Sequence, residues 1–285
     1  MDIFIKIHFA VQINKTLSIL RRTIRKLALR NVGSMKYNSV IFDLGFTLVT
    51  FENFTLSKYL ETLNRGLDQM VQYLTEQKIT NNPVTFKAQF KKLRNQNFEQ
   101  SLTNYIETPT EVTLNQTLKS LNLPSLKPEI ESKAILIYHS TEGAFWKVRS
   151  DAEPLLKNLS AKKFKLGVLS NAPFHKGILQ ILETKKLTRY FDAISSSAQI
   201  GFCKPDRRCF EYILNKLGVS PNQSIMVGDD LKNDIQGAQE FGMKTIYVKK
   251  NFKITPTEGP IQVKPDAEIS NLTEIIPIID KWNND

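Results

Sequence analysis

The clearest pattern in the chain is a set of short apolar runs that predict strands buried on both faces of a sheet. The four runs cover residues 39–42, 165–169, 224–227 and 245–248. One helical pattern opens at Lys204-Pro205, with Pro205 in its first turn, and stops at Gly218. Another runs over residues 230–241 and closes at Gly242. This alternation of strands and helices predicts an α/β fold with a parallel sheet and helices on both faces.

The interval between residues 54 and 146 shows a different pattern, without a convincing buried strand. It carries apolar stripes at helical spacing, one over residues 56–74 and a second from Phe86 to Phe98. Thr110 is predicted to cap a third helix. We interpret these stripes as core packing and predict a helical insert between the first strand and all the others.

Two further segments complete the predicted organisation. A loop over residues 251–265 precedes a final short strand and a helix that ends near Trp282. Residues 1–35 contain seven Lys and Arg residues and one acidic residue, so they hold a net charge of +6 out of the chain's +11. We favour the interpretation that this extension is not native, because Met35 stands directly before the first strand. A targeting peptide and a helix on an anionic membrane surface are the alternatives.

Composition limits the classes of function. A chain of 285 residues with 41% hydrophobic and 24% charged residues is typical of a folded globular protein. Since no apolar stretch reaches about 18 residues, we expect no membrane span. The remaining charge of about +5 is mild for a nucleic-acid binder, so no nucleic-acid partner is expected. Two cysteines, Cys203 and Cys209, fit a reducing cytosol and, with three histidines, argue against a His/Cys zinc site. We therefore expect a cytoplasmic protein, with organellar targeting by residues 1–35 as the alternative.

Polar residues follow the predicted strands at the sheet edge where α/β proteins bind ligands. Singly, such residues are ordinary helix caps and turns, but together they surround one crevice. Clustered carboxylates repel one another unless a cation neutralises them, and an all-oxygen ligand set favours Mg²⁺, which in turn works with phosphate oxygens. A hydroxyl, helix N-terminal amides and an ammonium bind phosphate. The groups in question belong to Asp43, Ser170, Asn171, Lys204, Asp229 and Asp234.

Four motifs occur in a specific order along the chain. They are Phe42-Asp43-x-x-x-Thr47-Leu48, Ser170-Asn171, Lys204-Pro205 and Gly228-Asp229-x-x-x-x-Asp234. In this order they resemble the haloacid dehalogenase-like hydrolase superfamily, in particular subfamily I with a helical C1-type cap. The resemblance implies a Rossmann-like three-layer core built from residues 37–53 and 147–285. It also implies a helical cap over residues 54–146, with residues 1–36 as the basic extension.

The resemblance further implies a nucleophile and a Mg²⁺ site. Asp43 is expected to attack the substrate and to bind the metal. The backbone carbonyl of Gly45 and the carboxylate of Asp229 are the other expected metal ligands. Asp230 stands where related proteins often have Ser, and it is expected to start a helix rather than to bind metal.

Phosphate binding is implied for a second group of residues. Ser170 and the amide of Asn171 are expected to hold the transferred phosphoryl group, with Thr47 also placed among the phosphate-binding residues. Lys204 is expected to stabilise the charge of the phosphoryl group and of Asp43. Asp234 is expected to orient Lys204 or a metal-bound water molecule.

Gly45 departs from the pattern of the resembled phosphatases, which usually have a second Asp two residues after the nucleophile. That Asp serves as general acid and base, a contribution of roughly 10²–10⁴-fold in rate. A glycine keeps the backbone carbonyl but cannot donate the proton. Poor leaving groups should therefore suffer most.

The leading hypothesis is a Mg²⁺-dependent phosphatase that hydrolyses a small phosphorylated metabolite through an aspartyl-phosphate on Asp43. One alternative is cleavage of a carbon–halogen or carbon–phosphorus bond, the latter requiring a Schiff-base lysine such as Lys58, Lys78, Lys87 or Lys91. A non-catalytic binding protein with the same fold is the other alternative. Glu52, Phe46 and His139 are candidates for substrate recognition, although His139 is expected to be structural. The sequence indicates neither the substrate nor the oligomeric state.

Overall fold

The computed structural model describes residues 35–250 and 263–285. The interpretations of the basic extension therefore fall on residues outside the described part of the chain, as does most of the predicted 251–265 loop. None of the helices in the described ranges is long and apolar enough to cross a membrane.

The described residues form the following main elements in chain order. They are β1 (Ser39–Phe42), β2 (Val49–Phe51), α1 (Leu56–Glu76), α2 (Pro83–Asn104), α3 (Thr110–Ser120), α4 (Pro128–Gly143), β3 (Trp146–Val148), α5 (Ala152–Ala161), β4 (Lys165–Ser170), α6 (His175–Thr184), β5 (Ala193–Ser196), α7 (Ser197–Ile200), α8 (Arg207–Leu217), β6 (Ser224–Gly228), a π-helix (Leu231–Gln236), α9 (Gly237–Glu240), β7 (Lys244–Val248), β8 (Ala267–Ile269) and α10 (Ile275–Asn284).

Six parallel strands make the main sheet, in the order β5-β4-β1-β6-β7-β8, with helices on both sides. Strand β1 is central, and its last residue, Phe42, pairs with Val168 of β4 and Val227 of β6. The carboxyl ends of these three strands consequently meet at one edge of the sheet. The predicted α/β parallel fold is confirmed, together with the four predicted strands and the final strand and helix.

The sequence reading missed β5, β2 and β3. Strand β5 consists of Ala-Ile-Ser-Ser and lies at the sheet edge, so it has no apolar run of the kind that marks a buried strand. Strands β2 and β3 have three residues each and pair antiparallel in a separate ribbon, with Phe51 opposite Trp146. Such short segments carry too few residues for a periodic signal.

Helices α1 to α4 lie between β2 and β3 in sequence and share an apolar core of their own. Leu67, Met70 and Leu74 of α1 pack there with Phe86 and Phe90 of α2. The predicted stripes are wrong at three positions that are exposed on the surface, namely Leu56, Leu60 and Phe98. Periodicity identifies the apolar face of a helix, but it does not show how far along the helix a neighbour covers that face.

Two predicted helix starts are also wrong. Thr110 is the first residue of α3 rather than its cap, and its hydroxyl bonds the Nε2 atom of His139 at 2.9 Å. Pro205 precedes α8 instead of forming its first turn, and the Lys204-Pro205 peptide is cis. Asp206 caps α8 by accepting a hydrogen bond from the backbone N–H of Arg208 at 2.9 Å. An aspartate is a favoured cap, so the helix begins immediately after it.

The predicted helix over residues 230–241 is present in two parts. The first part, Leu231–Gln236, is a π-helix, and the second is the four-residue α9. The wider π turn places Asp234 toward the carboxyl edge of the sheet, where it is almost completely buried.

Gly66 permits the close packing of α1 against α4. A Cβ atom at this position would overlap the backbone carbonyl oxygen of Tyr138. We predict that Gly66→Ala lowers the free energy of unfolding by about 3 kcal/mol, because two helix backbones must separate to accept one methyl group. Gly143→Ala is the matched control, since a Cβ atom there meets no atom within 4 Å. Chemical denaturation of both variants checks the prediction, and equal stabilities would contradict it.

Candidate active site

Five polar side chains meet at the carboxyl edge of the sheet. Asp43 directly follows β1, Ser170 ends β4 and Asp229 directly follows β6, so the sheet order places them side by side. Lys204 reaches the edge from the loop before α8, and Asp234 reaches it from the π-helix. All five residues are buried, with exposures between 1% for Asp234 and 8% for Asp43. Buried charges require partners, and the structure supplies them.

The ammonium group of Lys204 lies at the centre of this cluster. Its Nζ donates to Asp43 Oδ1 at 2.8 Å, to Asp234 Oδ1 at 2.6 Å and to the carbonyl oxygen of Leu169 at 2.7 Å. Since an ammonium group has three protons, these contacts use all of them. Burial alone lowers the pKa of Lys204, but the carboxylates of Asp234 and Asp43 outweigh it and raise that pKa. Lys204 is therefore held charged.

Asn171 fixes the backbone of Lys204. Its Oδ1 accepts a hydrogen bond from the Lys204 N–H at 2.8 Å, and its Nδ2 donates to the Lys204 carbonyl oxygen at 3.0 Å. The carboxamide is thus engaged with Lys204. The predicted contact of Asn171 with a phosphoryl group stays a prediction, for which the backbone N–H is the available donor.

Asp234 depends on Gly228 for its position. A Cβ atom on Gly228 would overlap the Asp234 carboxylate, so a glycine is needed at the end of β6. The Oδ2 atom of Asp234 accepts a hydrogen bond from the Asp230 N–H at 3.1 Å. The Asp230 carboxylate accepts from the N–H groups of Lys232 and Asn233, at 2.9 and 2.8 Å. Asp230 therefore caps the π-helix.

Three carboxylates converge closely enough to bind one metal ion. Asp43, Asp229 and Asp234 each offer an oxygen atom, and these atoms all lie within 4.8 Å of one another. A buried set of hard oxygen donors fits Mg²⁺. The structure thereby adds Asp234 to the possible ligands, whereas a contact of the Gly45 carbonyl with metal stays a prediction.

The protonation of these carboxyl groups reflects the same crowding of negative charge. Burial raises the pKa of Asp43, of Asp229 to about 6 and of Asp234 to about 7, and neighbouring carboxylates add to the rise in each case. The ammonium groups of Lys204 and Lys250 oppose this effect only in part. The site would accept further positive charge, which a divalent cation supplies.

Asp229 has two partners that the sequence reading did not assign to it. Thr47, completely buried, directs its Oγ1 toward Asp229 Oδ1 at 3.4 Å, and Lys250 donates to Oδ2 at 2.8 Å. The predicted contact of Thr47 with phosphate stays a prediction. Lys250 was missed, although its place just beyond β7 was a usable signal. The adjacent Lys249 occupies an equivalent place in sequence, so the pattern could not choose between them.

The sequence of this chain matches a known family of enzymes. The sequence profile of the haloacid dehalogenase-like hydrolases matches residues 40–248. The chain belongs to this family. A glyceraldehyde 3-phosphate phosphatase from Methanothermobacter thermautotrophicus is 32% identical over 161 residues, which are 53% of this chain and 68% of that protein. The pyrophosphatase PpaX of Bacillus mycoides is 24% identical over 250 residues, which are 87% of this chain and 100% of that protein.

Solved structures agree with the family at the level of the fold. A 2-haloacid dehalogenase from Pseudomonas syringae pv. Tomato superposes with a TM-score of 0.61 and 22% sequence identity. The similarity covers 86% of this chain and 99% of that one. At this identity the comparison establishes a shared architecture and no shared substrate.

A cluster of aromatic rings lies beside Gly45. The ring of Trp146 lies 3.4 Å from the point where a Cβ atom of residue 45 would stand. Phe46 packs edge-on against Trp146 and Phe54, with centroid distances of 5.3 and 4.9 Å. All three rings are half-buried, so the loop after Asp43 borders an apolar wall.

His139 and Glu52, the other residues considered for substrate recognition, lie away from the carboxylate cluster. His139 is buried, bonds Thr110 and Glu142, and stacks on Phe174 with a centroid distance of 4.7 Å, which is the expected structural role. Glu52 is exposed, with its carboxylate 3.9 Å from Lys147. Neither contact reaches the carboxylate cluster.

Glu107, which the sequence reading did not single out, joins the helical insert to the site loops. Its Oε2 accepts hydrogen bonds from Ser197 Oγ at 2.5 Å and Cys203 Sγ at 3.3 Å. Ser197 Oγ accepts in turn from the N–H of Ala172 at 2.7 Å. The carboxylate thereby links the loop after Ser170 to the loop that carries Lys204.

Removal of the central ammonium group should destabilise the fold in a pH-dependent way. We predict that Lys204→Met lowers the free energy of unfolding by about 3–5 kcal/mol at about pH 8, because two buried carboxylates lose their counter-ion. Without the ammonium group, the pKa values of Asp43 and Asp234 in the folded state lie further above their values in the unfolded state. The folded variant therefore binds extra protons in acid, which stabilises it there. The loss should therefore be smaller at about pH 5.5.

Urea denaturation at the two pH values checks this expectation. Lys165→Met is the control, since Lys165 forms a half-exposed ion pair with Asp192 at 3.2 Å and should contribute about 1 kcal/mol or less. A Lys204→Met loss that is equal at both pH values would argue against the charge-based explanation.

Proposed function

We propose that the protein is a Mg²⁺-dependent phosphatase that hydrolyses a small phosphorylated metabolite through an aspartyl-phosphate on Asp43. The observation that carries the proposal is the buried Lys204 ammonium shared by Asp43 and Asp234, with Asp229 beside them. The two relatives reported above, named as phosphatases of glyceraldehyde 3-phosphate and pyrophosphate, support a hydrolase that acts on phosphorylated compounds.

In the first step, an oxygen of the Asp43 carboxylate attacks the phosphorus atom. The new oxygen–phosphorus bond forms as the bond from phosphorus to the leaving-group oxygen breaks, and the leaving group departs with that electron pair. Ser170 and the backbone N–H of Asn171 hold the transferred phosphoryl group. Lys204 keeps Asp43 ionised and faces the charge that develops on the phosphoryl oxygens.

In the second step, water attacks the phosphorus of the aspartyl-phosphate and regenerates the Asp43 carboxylate as inorganic phosphate leaves. Asp234, fixed by the Asp230 N–H and Lys204, keeps Lys204 in place through both steps. Asp43, Asp229 and the Gly45 carbonyl would hold Mg²⁺, with Asp234 as a further possible ligand. The metal supplies positive charge that lets the phosphate dianion approach a carboxylate.

The leaving group receives no proton from residue 45. Gly45 has no side chain, and Trp146 covers it with an apolar ring. Substrates with good leaving groups should consequently react without assistance, whereas alkyl phosphates need a proton from solvent or from a group on the substrate itself.

The surroundings of the site complete the proposal. We take residues 54–146 as a C1-type cap of subfamily I, which would contact the part of the substrate beyond the phosphate.

Cys203 and Cys209 are free and buried, in keeping with a cytoplasmic protein. Burial raises the pKa of Cys209 to about 12, so its thiol stays protonated and unreactive.

Phosphate release from an aryl phosphate, with Mg²⁺ and with EDTA, tests the function. We expect turnover only with Mg²⁺, and a loss of at least about 10³-fold in Asp43→Asn, since the nucleophile is removed. Asp280→Asn is the control, because Asp280 is a half-exposed partner of Lys162 on α10. Release of halide from a haloacid without Mg²⁺, and no phosphate release, would instead support carbon–halogen cleavage.

A proton donor placed at residue 45 should help poor leaving groups selectively. We predict that Gly45→Asp raises the turnover of a plain alkyl phosphate by about tenfold or more, with little change for an aryl phosphate. Trp146 leaves a Cβ atom an ordinary contact distance of 3.4 Å. Gly45→Asn has the same shape but no ionisable proton, so it should give no gain. Equal effects of the two variants on both substrates would contradict the explanation.

A further inference from the structure

We infer that Lys250 is an internal counter-ion that holds Asp229 in the metal-free protein and that a divalent cation must displace from this carboxylate. The inference rests on the proposed function, because it takes Asp229 as a metal ligand. It assigns Lys250 a positioning role, since the side chain acts through Asp229 and the affinity for the metal.

The sheet brings Lys250 to the site. Strand β7 lies beside β6, with Tyr247 opposite Gly228, so the residues after both strands emerge at the same edge. The N–H of Lys249 still pairs with the carbonyl oxygen of Ile269 at 2.8 Å, which fixes the backbone immediately before Lys250. The Lys250 side chain reaches Asp229 Oδ2 at 2.8 Å.

This ion pair is buried. The side chain of Lys250 is 14% exposed and that of Asp229 is 7% exposed. Surface ion pairs in the described part of the chain, such as Lys162–Asp280 and Lys165–Asp192, are far more open to solvent. A buried pair is screened little by water, so each partner strongly affects the charge state and position of the other. The charge of Lys250 therefore acts mainly on the carboxylate cluster.

Lys250 compensates the negative charge of Asp229. The cluster contains three carboxylates, those of Asp43, Asp229 and Asp234. The Lys204 ammonium donates its three hydrogen bonds to Asp43, to Asp234 and to a backbone carbonyl. Asp229 receives no hydrogen bond from Lys204. The other contact described for it, from Thr47 at 3.4 Å, is long and uncharged. Lys250 thus neutralises the carboxylate that Lys204 does not reach.

A metal ion and Lys250 compete for Asp229. A divalent cation within bonding distance of the carboxylate would stand a few ångströms from the Lys250 ammonium, and like charges at that distance repel strongly in a buried site. The flexible four-carbon stem of a lysine allows its ammonium to withdraw. The metal affinity of the wild-type protein is consequently reduced by the free energy needed to break the pair.

Lys249 provides a matched control one residue away. Its Nζ pairs with Glu268 Oε2 at 2.8 Å, and both side chains are about half exposed, at 52% and 46%. Adjacent residues at the end of a strand point to opposite sides, which explains why one lysine enters the site and the other faces solvent. Replacement of either lysine by Met removes the same charge from the same segment.

Mg²⁺ binding to the full chain, measured by isothermal titration calorimetry, tests the inference. We expect Lys250→Met to bind Mg²⁺ at least about tenfold more tightly than the wild type, whereas Lys249→Met should differ by less than about twofold. Lys250→Arg keeps the charge and should retain affinity close to that of the wild type. A thermal melt gives a second readout: in EDTA, Lys250→Met should melt lower than the wild type, and Mg²⁺ should raise its Tm by more.

Two different outcomes would contradict the role of Lys250 and the proposed function separately. Equal Mg²⁺ affinity in the wild type and Lys250→Met, or weaker affinity in the variant, would overturn the role of Lys250 and leave the phosphatase proposal intact. Failure of both proteins to bind Mg²⁺ would overturn this inference together with the metal-dependent part of the proposed function.

Discussion

The buried contact of one ammonium group with two carboxylates is the constraint on which the rest of this structure depends. Lys204 is 2% exposed, and removal of such a charge from water costs several kcal/mol unless good partners replace the solvent. Here the partners come from the end of β1, the end of β4 and the π-helix after β6. The central strands must therefore align at one edge before the ammonium group can be satisfied.

The same constraint organises the neighbouring loops. Asn171 holds the backbone of Lys204, Gly228 leaves space for Asp234, and Glu107 links the two site loops to the helical insert. Each of these contacts reduces the freedom of a charged side chain before any ligand arrives. Such preorganisation is what electrostatic catalysis requires, because the groups need not rearrange when charge develops on a phosphoryl group.

Charge balance explains why the site is suited to both a cation and a phosphate. Three carboxylates face two ammonium groups, so the cluster is one positive charge short of neutrality. Binding of Mg²⁺ with a phosphate dianion leaves that balance unchanged. Mg²⁺ alone would change the net charge of the cluster from −1 to +1, whereas a phosphate dianion alone would change it to −3. Electrostatic repulsion thus disfavours phosphate binding without the metal.

Much of this arrangement is predictable from the chain alone. The strand runs are continuous and apolar, and Asp43, Ser170 and Asp229 follow them directly, so parallel pairing places these residues together. Less predictable features depend on contacts between distant segments. The pairing of Lys250 with Asp229, the partial burial of Glu107 and the exposure of Phe98 follow from which elements become neighbours, and local periodicity does not encode that.

Two predicted helix starts failed for different reasons. The hydroxyl of Thr110 bonds the distant His139 instead of capping its helix, which local preferences do not reveal. At the other site the error is local, because Asp206 rather than the Lys204-Pro205 pair caps the helix. The aromatic rings near Gly45 likewise come from β3 and from both sides of β2, so local signals do not predict that they pack together.

Capture of the covalent intermediate tests the proposed mechanism most directly. Turnover of an aryl phosphate with Mg²⁺ is stopped in acid, and the peptides are analysed by mass spectrometry. We predict one phosphoryl group on the peptide that contains Asp43, located on its carboxylate. Turnover accompanied by an unmodified Asp43 peptide, or by a phosphoryl group on another residue, would contradict it.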